Sequence, residues 1–299
     1  MPRIVFWLII CAVLPLGWLD SSAEASTPSK QSKQAKKKKK PAKKQPAQPP
    51  AKAARSPWKT PDYADPTAGD SIDGEDLIVR RAAVEALGRY NGSFVVTDAD
   101  TGRVLTIVNQ KLAFDGGYQP CSTIKLATAV AAINEKIISA DNDYRLSRSL
   151  RLDLSSAMAH SNNYYFSVLG QRLGFAKISE YFRLLGLGEK AGWNIPGEKP
   201  GSLPSAPPKN GGVGMMTSFG EGIRMTPLEL AAMVGAIANG GNLMYLQVPR
   251  SQTEAARMQP LVKRQLEFGD VMSSLWEGMR GALLYGTARR AAAATLEPL

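Results

Sequence analysis

The sequence is poor in the residues that metal and redox chemistry require, with two cysteines and one histidine among 299 residues. That is too few for a Cys/His zinc site or an iron–sulfur cluster, so neither a metal nor a cofactor is expected. Cys11 lies in the N-terminal apolar run, and its removal would leave Cys121 without an internal disulfide partner. Acid is missing altogether from one stretch: Ser26 to Thr60 carries twelve Lys or Arg and no Asp or Glu. The net charge of +11 therefore sits in that tail, and the remainder holds 25 basic against 26 acidic residues. A near-neutral body argues against a nucleic-acid partner. Long apolar runs are scarce too. Ile4 to Leu19 is 16 residues, short of the roughly 20 that span a bilayer comfortably.

The residues that are present divide the chain in three. Arg3, the apolar run and Ala23-Glu24-Ala25 give residues 1–25 the form of a signal peptide, or alternatively a retained membrane anchor. Either assigns the rest of the chain to the cell envelope, outside the cytoplasm. Residues 26–74 are rich in Lys, Pro, Ala and Gln, cannot repay the entropy of ordering, and read as a solvated linker. Its Lys36 to Lys40 run reads as self-repelling, with contact to anionic envelope polymers or lipid headgroups as the sharper alternative. Residues 75–299 are left as the folded domain.

Within that domain, Val79, Ala83, Ala86, Leu87 and Tyr90 recur at helical spacing, with Asn91-Gly92 as the stop. Two short strands come next, Ser93 to Asp98 and Arg103 to Asn109, joined by the Asp100-Thr101-Gly102 turn. From Ser122 to about Asn134 the sequence is apolar around nearly its whole circumference, which predicts an enclosed helix. Tyr164 to Leu173 and Phe175 to Leu185 are helical runs closed by Gly174 and Gly186. Ala191 to Gly214 reads as a long surface loop. Thr226-Pro227-Leu228-Glu229 is a capping box with proline at the first helical position. Helix, hairpin, then several helices, without strand–helix alternation, indicate an α+β domain.

The chemistry concentrates at Gln119-Pro120-Cys121-Ser122-Thr123-Ile124-Lys125, where a proline-bearing loop delivers a serine to the first turn of the enclosed helix. Lys125 comes three residues later, so the hydroxyl and the amine share a face. A lysine in an apolar helix is costly unless neutralised, and burial lowers its proton affinity toward the range of a general base. Helix-terminal N–H groups near Ser122 favour a developing oxyanion. The plainer reading makes Ser122 an N-cap and lets Lys125 reach water. Ser-x-x-Lys alone is cheap, since Ser56-Pro57-Trp58-Lys59 also matches. A second feature, His160-Ser161-Asn162-Asn163, offers a hydroxyl and an amide on one turn, or simply a pair of asparagine caps. A Ser-His-Asp triad around His160 has no Gly-x-Ser-x-Gly to support it.

Together these segments resemble the penicillin-binding protein transpeptidase domain, of the serine β-lactamase and DD-peptidase superfamily. Pro120 to Lys125 is similar to its first motif and Ser161-Asn162-Asn163 to its second, Ser-x-Asn. Gly92 to Val108, Ser218 to Gly241 and Tyr285-Gly286-Thr287-Ala288 are similar to other signature segments, in the same order. The resemblance implies an antiparallel sheet with flanking helices plus an all-helical subdomain. It also implies catalytic roles: Ser122 as nucleophile, Lys125 as its base, Ser161 as proton relay and Asn163 as substrate-amide ligand. The implied substrates are D-Ala-D-Ala peptidoglycan stem peptides, with β-lactams as covalent inhibitors; DD-carboxypeptidase, β-lactamase and a non-catalytic penicillin sensor are the alternatives. Three departures stand out. No Lys-Thr-Gly or Lys-Ser-Gly third motif comes after Ala288, and Lys190-Ala191-Gly192 stands in the wrong order. The expectation is a sequence that ends before that strand, with C-terminal strands of the sheet missing. Cys121 stands where the family usually has glycine, expected as a buried small side chain. The interval from Ser122 to Ser161 is short, suggesting a trimmed helical subdomain.

Overall fold

The computed structural model describes residues 63–139, 143–267 and 269–292. The expected signal or anchor and residues 26–62 of the basic linker lie outside those residues. Among the described residues no helix is long and apolar enough to cross a membrane.

The chain opens with α1 (Leu77–Leu87), capped by the Asp76 carboxylate on the amides of Ile78 and Val79. The helix closes at Gly88, earlier than the Asn91-Gly92 signal suggested, because Gly88 takes the positive φ of 57° that ends the turn. Strands β1 (Phe94–Thr97) and β2 (Val104–Val108) form the expected antiparallel hairpin, with Val95 opposite Ile107 and Val96 opposite Thr106. The outer edge of β2 is covered by the segment that precedes α1 and by α1 itself. Asp76 N–H donates to Leu105 O at 2.8 Å, Ile107 N–H donates to Glu75 Oε1 at 3.0 Å, and Arg80 Nη1 donates to Ile107 O at 3.1 Å.

That covering corrects one expected boundary. Asp70, assigned to the solvated linker, accepts from Arg80 Nη2 at 2.8 Å and from the amides of Asn109 and Gln110. The packed chain therefore begins before residue 75. Composition missed it because an ion pair and backbone hydrogen bonds hold this segment, not apolar side chains.

After the short α2 (Gln110–Ala113), a 3-10 turn (Cys121–Ile124) leads into α3 (Lys125–Asn134). The helix expected from Ser122 thus starts as a tighter 3-10 turn. Ala127 and Ala129 through Ala132 are fully buried, since alanines let neighbouring helices approach closely. Strands β3 (Tyr144–Arg145) and β4 (Arg151–Leu152) make a small hairpin before α4 (Leu154–Ala159). Helix α5 (Asn163–Leu184) contains the two expected runs, divided at Gly174, whose φ of 77° and ψ of 163° break the helical path.

The stretch 191–214 is less of a surface loop than its Pro and Gly content implied. Ala191, Ile195 and Glu198 are buried, and its end is the start of α6 (Gly212–Phe219), a helix not anticipated. Helix α6 packs on α5 where Gly170 meets Thr217; a Cβ at Gly170 would collide with the threonine side chain. Helix α7 (Pro227–Ala238) has the complete capping box, Glu229 N–H to Thr226 Oγ1 at 3.0 Å and Thr226 N–H to Glu229 Oε2 at 2.8 Å. Its residues from Pro227 to Ile237 are all buried, as an apolar circumference requires. The chain continues through β5 (Asn242–Met244), α8 (Gln252–Arg257), β6 (Val262–Gln265), α9 (Gly269–Ser273), α10 (Trp276–Leu284) and α11 (Arg289–Ala292). β5 pairs antiparallel with β6, so the described strands form three two-stranded sheets among helices, an α+β architecture. One continuous apolar core joins β1, β2 and α3 through α7.

Candidate active site

Three pieces of chain meet around one amine. The 3-10 turn presents Ser122 to solvent, α3 begins with Lys125, and the α4–α5 turn brings Ser161 and Asn163 from 36 and 38 residues away. Lys125 Nζ lies 3.1 Å from Ser122 Oγ, 2.6 Å from Ser161 Oγ, 2.8 Å from Ser161 O and 2.6 Å from Asn163 Oδ1. All four sequence-predicted residues are thus brought together, and the reading of Ser122 as a mere N-cap fails. The 3-10 turn's cap position is Pro120, and the lysine points inward with 3% of its surface exposed.

The partners of the amine decide what it can do. Two of them, the Ser161 backbone oxygen and the Asn163 amide oxygen, only accept hydrogen bonds. They occupy two N–H groups and leave the remaining position of the nitrogen facing two hydroxyls. In the ammonium that position is a third N–H; in the neutral amine it is a lone pair able to take a proton from Ser122. Burial favours the second state, and the Lys125 pKa is pushed down from 10.5 to about 8, opposed only weakly by the Cys121 thiol. Among the described residues no carboxylate forms an ion pair with it, and the nearest ring is Phe166, its centroid 5.7 Å from Nζ.

Backbone strain flanks this lysine on both sides. Cys121 has φ 50° and Ser161 φ 51°, two of the four non-glycine residues with positive φ among those described. Each costs about 1 kcal/mol. At Cys121 the conformation explains why a glycine would be at home there. The cysteine itself is only half-buried, not enclosed as expected; burial pushes its thiol pKa up while the Lys125 charge pulls the other way, and the net direction is upward. It is a thiol, not a thiolate.

The model of the penicillin-binding protein transpeptidase domain matches residues 92–294. The chain belongs to that family. Stage V sporulation protein D of Bacillus subtilis (strain 168) is 25% identical over 209 residues, covering 62% of this chain and 32% of that protein. Penicillin-binding protein PbpB of Mycolicibacterium smegmatis is 28% identical over 194 residues, covering 53% of this chain and 30% of that protein. The chain spans about a third of the length of these curated relatives. A solved structure described as "Structural coordination of polymerization and crosslinking by a peptidoglycan synthase complex" superposes with a TM-score of 0.56 at 23% identity, over 76% of this chain and 48% of that one. That likeness establishes the shared fold.

In this transpeptidase domain His160 takes no part in the cluster; it is exposed and its ring lies 5.8 Å from that of Tyr285. Asn162, beside the site, caps α5 by accepting from Tyr165 N–H at 2.9 Å. Sequence reasoning missed two supports. The Ser161 carbonyl is a ligand of the amine that no side-chain motif encodes. Thr128, one turn beyond Lys125, donates to Thr217 O on α6 at 3.1 Å, and Thr217 Oγ1 donates to Phe166 O on α5 at 3.0 Å. That chain of hydroxyls fixes the three helices that build the site.

Proposed function

We propose that this domain is a serine-type peptidoglycan DD-transpeptidase acting, on the outer side of the cytoplasmic membrane, on stem peptides ending in D-Ala-D-Ala. Ser122 Oγ attacks the carbonyl carbon of the penultimate D-Ala as its proton passes to Lys125 Nζ. The tetrahedral intermediate collapses with cleavage of the C–N bond. The proton returns through Ser161 Oγ to the departing nitrogen, terminal D-Ala leaves, and the donor peptide remains as an ester on Ser122. An amine of a neighbouring stem peptide then attacks that ester, giving the cross-link and restoring the serine. Asn163 has its oxygen on Lys125, and its amide nitrogen, without an intramolecular partner among the described residues, is available to a substrate carbonyl.

The observation that carries the reading is a single buried amine, in contact with both serine hydroxyls and lacking a counterion among the described residues. A β-lactam offers the same serine a strained amide whose leaving group stays tethered, so the adduct accumulates. Incubation with a fluorescent penicillin is expected to label the protein covalently and to leave Ser122→Ala unlabelled. Equal labelling of both, or of neither, sinks the assignment. With stem-peptide substrate, dimer formation in the presence of an acceptor amine distinguishes transfer from the carboxypeptidase outcome, in which water resolves the ester.

A further inference from the structure

Lys125 Nζ has oxygen ligands, but something must also keep water from it, and the neighbouring side chain able to do so carries no polar atom. Phe166 is fully buried in α5, one turn beyond Asn163, with its ring centroid 5.7 Å from Lys125 Nζ. We propose that Phe166 is a positioning residue for the Ser122 chemistry, an apolar wall that excludes water from the Lys125 amine and so holds it in its proton-accepting form. The inference rests on the function proposed above and deepens it.

Two opposing effects act between a ring and an amine. An aromatic face attracts an ammonium, which favours the charged form, but the attraction fades toward about 6 Å and this contact is near that limit. Excluding water disfavours the charged form, and burial is the larger influence on Lys125. The ring is also held from several sides. Tyr165 packs edge-on at 5.3 Å between centroids, and the Phe166 carbonyl is tied to Thr217 of α6, itself tied to Thr128 of α3. These ties fix the ring relative to the helix that carries Lys125.

The other groups facing the amine do not supply the effect. The 3-10 turn contributes the Ser122 hydroxyl and the Cys121 thiol, the α4–α5 turn the Ser161 hydroxyl and carbonyl, α5 the Asn163 amide, and α6 faces α3 with Thr217. Cys121 is the titratable member, and on ionising its thiol would pull the lysine in the opposite direction. Hydrogen bonds to two carbonyl-type oxygens also favour the ammonium. A lysine that nevertheless gives up its proton readily needs an apolar boundary, and Phe166 supplies it.

The test is a side-chain NMR titration of Lys125 in the whole protein, its signal assigned by its loss in Lys125→Met. In the wild type the midpoint is expected near 8; a midpoint near that of a free lysine would overturn the proposal without any variant. Phe166→Leu keeps the wall apolar and is expected to retain the wild-type midpoint. Phe166→Ala admits water, and Phe166→Gln brings a polar amide into the same space; in each the midpoint is expected to rise by about one unit. Penicillin acylation at pH 7 should then slow roughly tenfold and recover as the pH approaches 10. An unchanged or lowered midpoint in whichever of these two variants folds refutes the role. The titration needs no turnover, so a protein that titrates as described yet takes no penicillin discredits the transpeptidase assignment and leaves the Phe166 inference standing.

Discussion

Among the described residues two cations are buried, Arg80 and Lys125, and they are treated oppositely. Arg80 in α1 lies between two carboxylates, with Asp70 at 2.8 Å and Glu75 at 2.9 Å. Burial alone would lower its pKa, but the hydrogen bonds and charges of those acids outweigh that, and the net direction is upward. Lys125 is more deeply buried and has neutral oxygens, the Cys121 thiol and a ring around it, with no carboxylate paired to it among the described residues. Its pKa falls to about 8. The lesson concerns the counterion. A buried cation with paired carboxylates is a structural tie, because its charge is locked on; one without them is a base in waiting, because burial continually presses it to release its proton.

Removing each cation sharpens the contrast, and the largest effect belongs to Lys125→Met. Acylation by penicillin is expected to slow about 10³–10⁴-fold, the loss of a general base, while the folded protein becomes no less stable. Arg80→Met should do the reverse. It leaves Asp70 and Glu75 buried and unpaired, at a cost of about 3–5 kcal/mol, read as a melting temperature lower by roughly 10 °C. The domain that remains folded should still acylate.

The same lysine variant gives a smaller, pH-dependent signal. Folding lowers the Lys125 pKa from 10.5 to about 8, so between those values the unfolded chain binds more protons and stability rises with pH. Below pH 8 the penalty is fully present, on the order of 3 kcal/mol. Lys125→Met should therefore exceed the wild type in denaturant resistance at pH 7 and lose most of that advantage by pH 10.5; a difference constant with pH would mean Lys125 is not depressed. The least effect is expected from Cys121→Gly, which relieves the αL strain for a gain of about 0.5–1 kcal/mol. It also removes the thiol that pulls the lysine upward, so the pH midpoint of acylation should stay at about 8 or move slightly below it. A rise in that midpoint would break the comparison by showing that Cys121 itself helps to keep the lysine neutral.

How much of the molecule could be read from its residues depended on how local the signal was. The α7 capping box, the β1–β2 hairpin and the Gly174 interruption were legible because each is written in neighbouring residues. Helix α6 was hidden: Gly212, Gly214, Val213 and Thr217 carry a weak propensity, and the helix exists because its face packs on α5 and α3. Asp70 was misassigned because its partners, Arg80, Asn109 and Gln110, lie 10, 39 and 40 residues on. Glu229 was recognised as a cap, but its other oxygen also accepts from the amides of Gly188 and Gly201, a clamp on the 185–211 segment that no local pattern announces.

Sequence by itself determined that a serine and a lysine would share one turn of an apolar helix, since three-residue spacing dictates that wherever a helix forms. It also determined that Ser161-Asn162-Asn163 would interrupt two helices, because asparagine competes with helical hydrogen bonding. Only the tertiary structure decided that those two turns would meet on one nitrogen, which oxygens would take its protons, and that no carboxylate among the described residues would come with them. The reason is physical: proton affinity depends on everything within a few ångströms, and what lies within a few ångströms is set by the packing of helices drawn from distant parts of the chain.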